Sequence, residues 1–337
     1  MERILVVNVN WVGDVIFSSP IFKALKEAYP SARISCLAVP RVKEVLECIP
    51  HIDEIIVYDE DRRHRSPLAK LKLIFQLRRK HFDVAFLLHR SLTRALLVYL
   101  AGIPQRVGYD EKGRGKFLTH KVNFLDEPAH RSDRYLNVIE SYGVQVNDRR
   151  CLLSVPQKSK KDIEAILESY NINENDYLVV VNPGGNWDLK RWPAENFSRL
   201  MCGFLGKSDI KIVISGAHKD ILLAKELNSL ALHEAINLTG QTDLKQLVAL
   251  MSRANVVVSA DSGPLHLANG VGSDVIGIFG PTRPEITGPR GSGKAFVLQH
   301  NIGCNSEPCY YLQCPDNICM KSITVNDVSE IIKQIRN

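Results

Sequence analysis

The chain has 337 residues, a length that favours two domains over a single core. Its 45% hydrophobic and 24% charged residues are ordinary for a globular protein and exclude a disordered or fibrous chain. The sequence lacks a run of about 18 apolar residues that could span a membrane. The N-terminus passes from one charged pair directly into a strand pattern, so we expect a cytosolic protein without a signal peptide.

The net charge of +6 is unevenly distributed. Residues 1–150 carry +7, whereas the remainder carries −1. A local basic cluster comprises Arg62, Arg63, Arg65, Lys70, Lys72, Arg78, Arg79 and Lys80. Such an asymmetry favours an anionic partner, which could be nucleic acid, acidic lipid, or a phosphorylated or carboxylated glycan. For any single residue of the cluster, a solvated helix face is the simpler explanation.

The first half alternates short apolar strands with helices. The pattern predicts strands at residues 4–8, 33–38, 54–58 and 83–88, and helices at 20–29, 42–49, 68–80, 94–101 and 132–142. Residues 13–18 are predicted to form a loop or short turn, and residues 108–126 lack a clear pattern. Unalternating apolar strands between helices are typical of a parallel, doubly wound sheet.

The alternation restarts after a polar, proline-containing linker predicted at residues 153–161. Strands are predicted at 177–181, 210–215, 235–238, 255–260 and 275–279, and helices at 195–205, 219–230, 244–253, 265–269 and 325–336. We therefore expect an α/β protein of two Rossmann-like lobes with a cleft between them. The predicted boundaries are an N-terminal lobe at 1–155, a C-terminal lobe at 156–322, and a final helix at 323–337 that packs back on the N-terminal lobe.

The segment Asn8-Val9-Asn10-Trp11-Val12-Gly13-Asp14 interrupts the first apolar run. Because the run is a predicted strand, Asp14 lies near its carboxyl end, the edge at which open parallel sheets bind ligands. From this position alone, Asp14 is about as well explained by a helix cap as by a catalytic group.

Two turns in the second half have the character of phosphate sites. Asn182-Pro183-Gly184-Gly185 follows a buried strand, and Lys190 and Arg191 add cations to the same loop. Glycines let backbone N–H groups approach an anion, so the loop favours diphosphate binding over a purely structural turn. In the second turn, Asp220 could accept hydrogen bonds from ribose hydroxyls or could cap the helix that follows.

A third turn, Asp261-Ser262-Gly263-Pro264-Leu265-His266, also follows a largely apolar strand. Gly263 and Pro264 would open a helix whose N-terminus suits an anion. Asp261, Ser262 and Gly263 place polar groups at the ligand-binding edge, whereas His266 alone is better explained as a hydrogen-bonded structural residue.

Other motifs in the sequence are incomplete. The run from Gly288 to Lys294 has P-loop glycine spacing, but Ala295 replaces the magnesium-binding Ser or Thr and the strand-helix context is missing. Neither G-x-G-x-x-G after the first strand nor a G-x-S-x-G elbow is present. Four cysteines recur at every fifth residue, and a structural zinc site is a minority hypothesis for them: Cys304, Cys309, Cys314 and Cys319.

The ordered set of motifs resembles one family. It comprises Asn10-Trp11-Val12-Gly13-Asp14, Asn182-Pro183-Gly184-Gly185, Lys190-Arg191-Trp192-Pro193, Asp261-Ser262-Gly263-Pro264-Leu265-His266, Ile278-Phe279-Gly280-Pro281-Thr282 and the spaced cysteines. Across essentially its full length, the chain resembles the ADP-heptose:lipopolysaccharide heptosyltransferases, glycosyltransferase family 9. The Trp-Val-Gly-Asp form of the first motif is most similar to the heptosyltransferase II group.

The resemblance implies a GT-B fold with acceptor bound by the N-terminal lobe and ADP-sugar by the C-terminal lobe. It implies inverting, metal-independent and cofactor-free transfer from ADP-L-glycero-D-manno-heptose to a heptosyl-Kdo-lipid A type of acceptor. Asp14 then resembles the general base, Lys190 the diphosphate ligand and Asp261 a contact to the donor heptose. The resemblance extends donor binding to Ser262, Gly263 and His266, and more loosely assigns the ribose to Asp220.

The acceptor implied by the resemblance explains the basic lobe, because lipid A cores carry phosphates and acidic sugars. We expect acceptor contacts from Gly13, Arg62, Arg63, Arg94 and Lys116, no binding of nucleic acid, and attachment to the cytosolic face of the inner membrane. The alternatives are a family member with another donor or acceptor, a GT-B UDP-sugar epimerase, and a non-catalytic protein that binds nucleic acid or anionic membrane.

Overall fold

The computed structural model describes residues 1–126, 128–205, 209–230, 235–304, 309 and 314–336. The chain divides into two compact units, unit 1 (Met1–Leu153) and unit 2 (Ser154–Asn337). Each unit is built on one parallel sheet of six strands with helices between successive strands.

Among its described residues, unit 1 contains the first six strands and six α-helices. The strands are β1 (Arg3–Val7), β2 (Arg33–Ala38), β3 (Glu54–Val57), β4 (Val84–Leu87), β5 (Gln105–Tyr109) and β6 (His120–Val122). The helices are α1 (Val12–Phe17), α2 (Pro20–Ala28), α3 (Lys43–Leu46), α4 (Pro67–Arg78), α5 (Leu92–Leu100) and α6 (Arg131–Glu140). Short 3₁₀ segments cover Pro40–Val42 and Arg114–Phe117. The strand order is β3-β2-β1-β4-β5-β6.

Unit 2 repeats the arrangement. Its strands are β7 (Tyr177–Asn182), β8 (Ile210–Ile214), β9 (Ile236–Asn237), β10 (Val256–Ala260), β11 (Asp274–Ile278) and β12 (Ala295–Leu298). Its helices are α7 (Gln157–Ser169), α8 (Ala194–Phe204), α9 (Ile221–Leu230), α10 (Leu244–Arg253), α11 (Gly263–Gly270), α12 (Pro284–Thr287), α13 (Ile318–Lys321) and α14 (Val325–Arg336). The 3₁₀ segments are Asp188–Lys190 and His218–Asp220, and the strand order is β12-β11-β10-β7-β8-β9.

Both sheets have the Rossmann strand order, in which the chain reverses direction across the sheet beside the first strand. The reversal lies between β1 and β4 in unit 1 and between β7 and β10 in unit 2. The central strands β1 and β10 are mostly apolar and are buried except at Arg3, because helices cover both faces of the sheet. The predicted fold class is therefore confirmed, and the reversal points mark the edges at which ligands are expected.

Several local predictions were wrong. The predicted loop at 13–18 is largely helix α1, which is too short to show an apolar period. Residues 108–126 include the end of β5, a 3₁₀ turn and β6, an edge strand with only one buried residue. The linker is shorter than predicted because α7 begins at Gln157, directly after Pro156. β12 was missed because it is a partly exposed edge strand.

The final helix was also predicted wrongly. Helix α14 is not a separate element: it belongs to unit 2, where it packs against α8 and β12. Val328 and Ile332 are buried in the core of that unit, and Arg336 forms an ion pair with Asp209. Among the helices that the structure describes, none is both long and apolar enough to cross a membrane.

The glycine-rich run from Gly288 to Lys294 has a packing role. The Gly291 N–H donates to Asn269 Oδ1, and the Asn269 side chain donates to the Gly293 carbonyl at 2.8 Å. A Cβ at Gly293 would overlap the carbonyl oxygen of Ser273. Glycine is therefore required for this loop to lie against the end of α11, which accounts for the P-loop-like spacing.

We predict that Gly293→Ala lowers the free energy of unfolding by about 1–3 kcal/mol, because the new methyl group must displace backbone. Gly203→Ala is the matched control: it lies within α8 with open space around its Cβ position, so it should stabilise the protein by about 0.5–1 kcal/mol. Urea unfolding midpoints measure both effects. Equal midpoints for wild type and Gly293→Ala would contradict the packing role.

Candidate functional site

Asp14 lies at the carboxyl edge of the unit 1 sheet, beside the reversal point. β1 ends at Val7, and Asp14 occupies the first turn of α1, where a negative charge is favourable at a helix N-terminus. The connecting loop is held by Asn8, whose Oδ1 accepts hydrogen bonds from the Val9 N–H at 2.7 Å and the Ser18 hydroxyl at 3.1 Å. The carboxylate therefore lies on a helix that follows a braced loop, with its side chain 26% exposed.

Two residues of α6 engage the same oxygen of Asp14. The Tyr135 hydroxyl donates to Oδ1 at 2.9 Å, and Arg131 Nε lies 3.6 Å from it. Arg131 and Tyr135 are four residues apart and so share one helix face. Burial, reinforced by the negative charge of Asp14, raises the pKa of Tyr135 well above its usual value, so the phenol stays protonated and remains a donor. No described residue donates a hydrogen bond to Oδ2, which is thus available to accept a proton.

A recess of unit 1 adjoins these residues. It is lined by Leu88, Arg90, Tyr109, Phe124, Leu125, Arg131, Arg134 and Tyr135. Three guanidinium groups line it, and no carboxylate is among the lining side chains. Tyr109 and Phe124 stack with ring centroids 5.0 Å apart, and Arg90 is fixed by Glu111 at 3.0 Å. Cations beside aromatic rings suit a sugar that carries a carboxylate or phosphate.

These recess arginines were not predicted from the sequence. Arg131, Arg134 and Tyr135 follow the region without a clear pattern, and Arg90 lies in the segment after β4. The available signal was the spacing of three and four residues between the polar groups at the start of the helix, which places them on one face.

The predicted acceptor residues lie in different parts of unit 1 and differ in exposure. Gly13 immediately precedes Asp14 in α1, Arg62 and Arg63 lie in an exposed turn after β3, and Lys116 is exposed over the Phe117 ring at 5.1 Å. Arg94 is 0% exposed, which corrects its prediction as an acceptor ligand. Its Nη1 donates to the Asn8 carbonyl at 2.9 Å and its Nη2 to Glu60 at 3.3 Å, so it braces the loop that leads to Asp14.

In unit 2, Asp261 is a buried hub after β10. Its Oδ2 accepts hydrogen bonds from Lys190 Nζ at 2.7 Å, Thr282 Oγ1 at 2.7 Å and Thr287 Oγ1 at 3.2 Å. Its Oδ1 lies 3.4 Å from Nε2 of His266, which is in α11. Lys190 lies after β7, and Thr282 and Thr287 lie after β11. Because β7 and β11 are the two neighbours of β10, these donors meet Asp261 at the same edge of the sheet.

The hub keeps Asp261 ionised. Burial acts to raise the pKa of this carboxyl, but the hydrogen bond from His266 and the charge of Lys190 outweigh it and hold the pKa well below its usual range. His266 is itself buried, as expected for the structural role considered for it. Thr282 and Thr287 were not predicted as members of this cluster, although Thr282 ends the Gly280-Pro281-Thr282 motif.

The loop after β7 is organised around Gly184 and Gly185. Asn182 ties β7 to the end of β8 through hydrogen bonds to the Ser215 carbonyl at 3.0 Å and hydroxyl at 3.1 Å. A Cβ on Gly184 would lie 2.5 Å from Oδ2 of Asp220, so only glycine fits beside that carboxylate. Asp220 Oδ2 also accepts from the Ala217 N–H at 3.0 Å, which is the capping role considered as the alternative to ribose binding.

Two cations converge on the Gly185 carbonyl. Arg191 Nη2 donates to it at 2.7 Å and Lys219 Nζ at 3.1 Å. Together with Lys190, they give this edge three positive side chains after β7 and β8. Lys219 was not singled out from the sequence, although it lies in the turn that carries Asp220.

The third predicted turn forms the start of α11. Ser262 precedes the helix, its hydroxyl lies 3.0 Å from that of Ser259, and Gly263 is the first helical residue. The proline at the second helical position is tolerated because the N–H groups of the first helical turn have no partner within the helix. The geometry is that of an open helix N-terminus, so donor binding by Ser262 and Gly263 stays a prediction.

The cysteines do not form a metal cluster in the described ranges, where no three His, Cys, Asp or Glu side chains are arranged to hold a metal ion. Cys304 and Cys314 are exposed, whereas Cys309 donates its N–H to the Pro281 carbonyl at 2.8 Å and Cys319 lies 3.6 Å from Asn317 Oδ1. The intervening residues 305–308 and 310–313 lie outside the described residues. The zinc hypothesis and the absence of a cofactor stay predictions.

Comparisons with known proteins agree with this architecture. Residues 70–315 match the model of glycosyltransferase family 9 (heptosyltransferase). Lipopolysaccharide heptosyltransferase 2 of Escherichia coli K12 is 28% identical over 309 residues, which cover 88% of each chain.

Solved structures share the fold over nearly the full length. A family 9 glycosyl transferase from Veillonella parvula has a TM-score of 0.88 at 24% identity, covering 99% of this chain and 97% of that one. The ADP-heptose lipopolysaccharide heptosyltransferase II of E. coli has a TM-score of 0.80 at 25% identity, with 99% and 98% covered. The fold is therefore GT-B, and the chain belongs to glycosyltransferase family 9, the heptosyltransferase family.

Proposed function

We propose that this protein is an inverting heptosyltransferase that moves heptose from ADP-L-glycero-D-manno-heptose to a heptosyl-Kdo-lipid A type of acceptor in the inner core of lipopolysaccharide. The observation that carries the proposal is Asp14, fixed through one oxygen by Tyr135 and Arg131 beside a recess with three arginines. A base next to an anion-binding surface suits an acceptor that is both a sugar alcohol and an anion. The name of the E. coli relative, an ADP-heptose lipopolysaccharide heptosyltransferase II, supports this choice of donor.

In the proposed reaction, the acceptor hydroxyl oxygen attacks the anomeric carbon of the donor from the face opposite to ADP. The new carbon–oxygen bond forms as the bond to the diphosphate breaks, so the configuration inverts. Asp14 takes the hydroxyl proton on Oδ2 while Tyr135 holds Oδ1. General base catalysis of this kind contributes typically about 10²- to 10⁴-fold to a rate.

The departing ADP gains negative charge, which the donor loops of unit 2 are suited to receive. Lys190, Arg191 and Lys219 supply positive charge, and Gly184 and Gly185 permit close approach of the backbone. We infer that these side chains take the place of a divalent metal at the diphosphate. We infer that Asp261 shares Lys190 with the incoming diphosphate and accepts a hydrogen bond from the sugar.

The acceptor side accounts for the proposed location. A lipid A core would hold its carboxylates and phosphates against Arg90, Arg131 and Arg134 while its acyl chains remain in the bilayer. The enzyme would then work as a peripheral protein at the cytosolic face of the inner membrane, without binding nucleic acid. Family 9 membership favours transfer over the epimerase and the non-catalytic alternatives.

A transfer assay tests the proposal directly. With ADP-heptose, we expect product on lipid A cores that already carry one heptose, and no product on heptose-free cores. Asp14→Asn should lower turnover at least about 10²-fold and leave the affinity for ADP unchanged, because it removes the base but keeps the shape of the side chain. Near wild-type turnover of Asp14→Asn would refute the base assignment. Activity with another nucleotide sugar but none with ADP-heptose would favour the alternative family member.

Tyr135→Phe should lower kcat by about tenfold with little change in the donor KM, because one charge-assisted hydrogen bond to Asp14 is lost. Tyr109→Phe is the control, because its hydroxyl donates to the Arg134 carbonyl at 2.8 Å and not to Asp14. A kcat for Tyr135→Phe equal to that of the wild type would contradict the positioning role.

Lys190→Gln should weaken ADP binding roughly ten- to a hundredfold, as expected when one charge-assisted contact to the diphosphate is removed. Thr282→Val is the matched control, since it removes another donor to Asp261 Oδ2 without changing the charge of the loop. Isothermal titration with ADP measures both variants. Equal weakening in the two would show that Lys190 acts only by orienting Asp261.

A further inference from the structure

Helix α4 is apolar on two opposite sides. Its inner side is buried in the core of unit 1 by Leu73, Ile74 and Leu77. Its outer side exposes Leu68, Leu71 and Phe75, with Leu68 72% and Phe75 57% exposed. A helix that only covers a sheet needs one apolar stripe, so folding does not account for the outer one.

Helix α5 repeats this feature beside α4. Its buried residues join the same core, and Arg78 at the end of α4 donates to the Leu100 carbonyl at 3.2 Å, which ties the two helices together. Because both helices cover the same side of the sheet, their outer residues form one surface. This apolar face of α4 and α5 comprises Leu68, Leu71, Phe75, Leu92, Leu96, Tyr99 and Leu100, all exposed.

Positive charge surrounds the apolar face. From Arg62 to Lys80 the sequence has eight Lys and Arg residues and no Asp or Glu. Helical spacing puts Lys72 and Arg79 on the outer side of α4, in line with Leu68 and Phe75. At the other end, Lys116 lies over Phe117, whose ring is 5.4 Å from that of Tyr99.

We propose that the apolar face of α4 and α5 docks unit 1 on an anionic lipid bilayer. Its leucine and aromatic side chains would enter the boundary between headgroups and acyl chains, while the surrounding lysines and arginines bind lipid phosphates. Protein interfaces are depleted in lysine, so the lysine-rich surround favours a bilayer over a protein partner. The proposal rests on the proposed function, which gives the protein a reason to approach a membrane. The surface that binds the membrane is inferred from these exposed residues.

The position of the face agrees with a lipid-linked acceptor. Helix α5 begins at the carboxyl edge of the sheet, after β4. Its Arg94 donates to the Asn8 carbonyl, in the loop that leads to Asp14. A bilayer bound to α5 would therefore contact the helix that directly supports the loop leading to Asp14.

Co-sedimentation with vesicles tests the proposal without any acceptor or donor. The wild-type protein should bind phosphatidylcholine vesicles that contain phosphatidylglycerol, and should bind phosphatidylcholine vesicles much more weakly. Leu68→Ser/Phe75→Ser should lower the partition coefficient by at least about tenfold, because two apolar side chains no longer leave water. Lys72→Glu should lower binding to the anionic vesicles severalfold and leave binding to the neutral ones unchanged.

Matched controls lie on α9 of unit 2. Leu222 and Leu230 are 78% and 51% exposed, so Leu222→Ser/Leu230→Ser removes comparable apolar surface, and Lys225→Glu changes a comparable exposed charge. Both controls should bind vesicles like the wild type. The proposal is overturned if wild type does not bind anionic vesicles or if Leu68→Ser/Phe75→Ser binds as well as wild type. It is also overturned if the face proves to hold a second copy of this chain, with the variant losing only self-association in analytical ultracentrifugation.

Transfer assays separate this proposal from the proposed function. Leu68→Ser/Phe75→Ser should transfer heptose to a delipidated, water-soluble core as fast as wild type, and be slower only on acceptor embedded in vesicles. If neither the wild type nor any variant transfers heptose, the proposed function is wrong. The vesicle measurements still test whether the apolar face of α4 and α5 binds the bilayer.

Discussion

The ionised carboxylate of Asp261 is the constraint on which the site in unit 2 depends. Burying a charge is costly unless it is paired and hydrogen-bonded, so Asp261 requires Lys190, Thr282, Thr287 and His266 around it. Those donors come from α11 and from the segments after β7 and β11, which must therefore meet. The cost of burial is smaller for Asp14 in unit 1, because its carboxylate is partly exposed and is contacted only by Tyr135 and Arg131 among the described residues.

The positive charge of unit 1 is divided among three tasks. Arg94 and Arg114 are buried and donate to backbone carbonyls, so they brace loops and are not available to a ligand. Arg90, Arg131 and Arg134 line the recess beside Asp14. The cluster from Arg62 to Lys80 surrounds the apolar face of α4 and α5. The excess positive charge of unit 1 therefore comes from three groups of residues: buried arginines that brace loops, arginines that line the recess, and residues around the apolar face. The burial of each side chain distinguishes these groups.

The long, strongly patterned elements were predictable because local sequence decides them. The strand at β2 and the helix at α10 have the predicted bounds, since an apolar run and an amphipathic period are visible in a short window. Helix α1 and strands β6 and β12 were missed because they are short or lie at a sheet edge, where burial imposes little pattern. The glycines after Gly288 suggested a phosphate loop, but their spacing serves packing against Asn269.

The sequence by itself determined the class of fold, the position of Asp14 and Asp261 at strand ends, and the motifs of the family. Each of these depends on residues that are close together in the chain. Only the tertiary structure decided that Tyr135 reaches Asp14 across 121 positions, that Thr282 and Thr287 complete the Asp261 hub, and that Arg94 is buried. These contacts depend on which strand ends become neighbours and on which side chains leave water, and both are consequences of packing and not of local sequence.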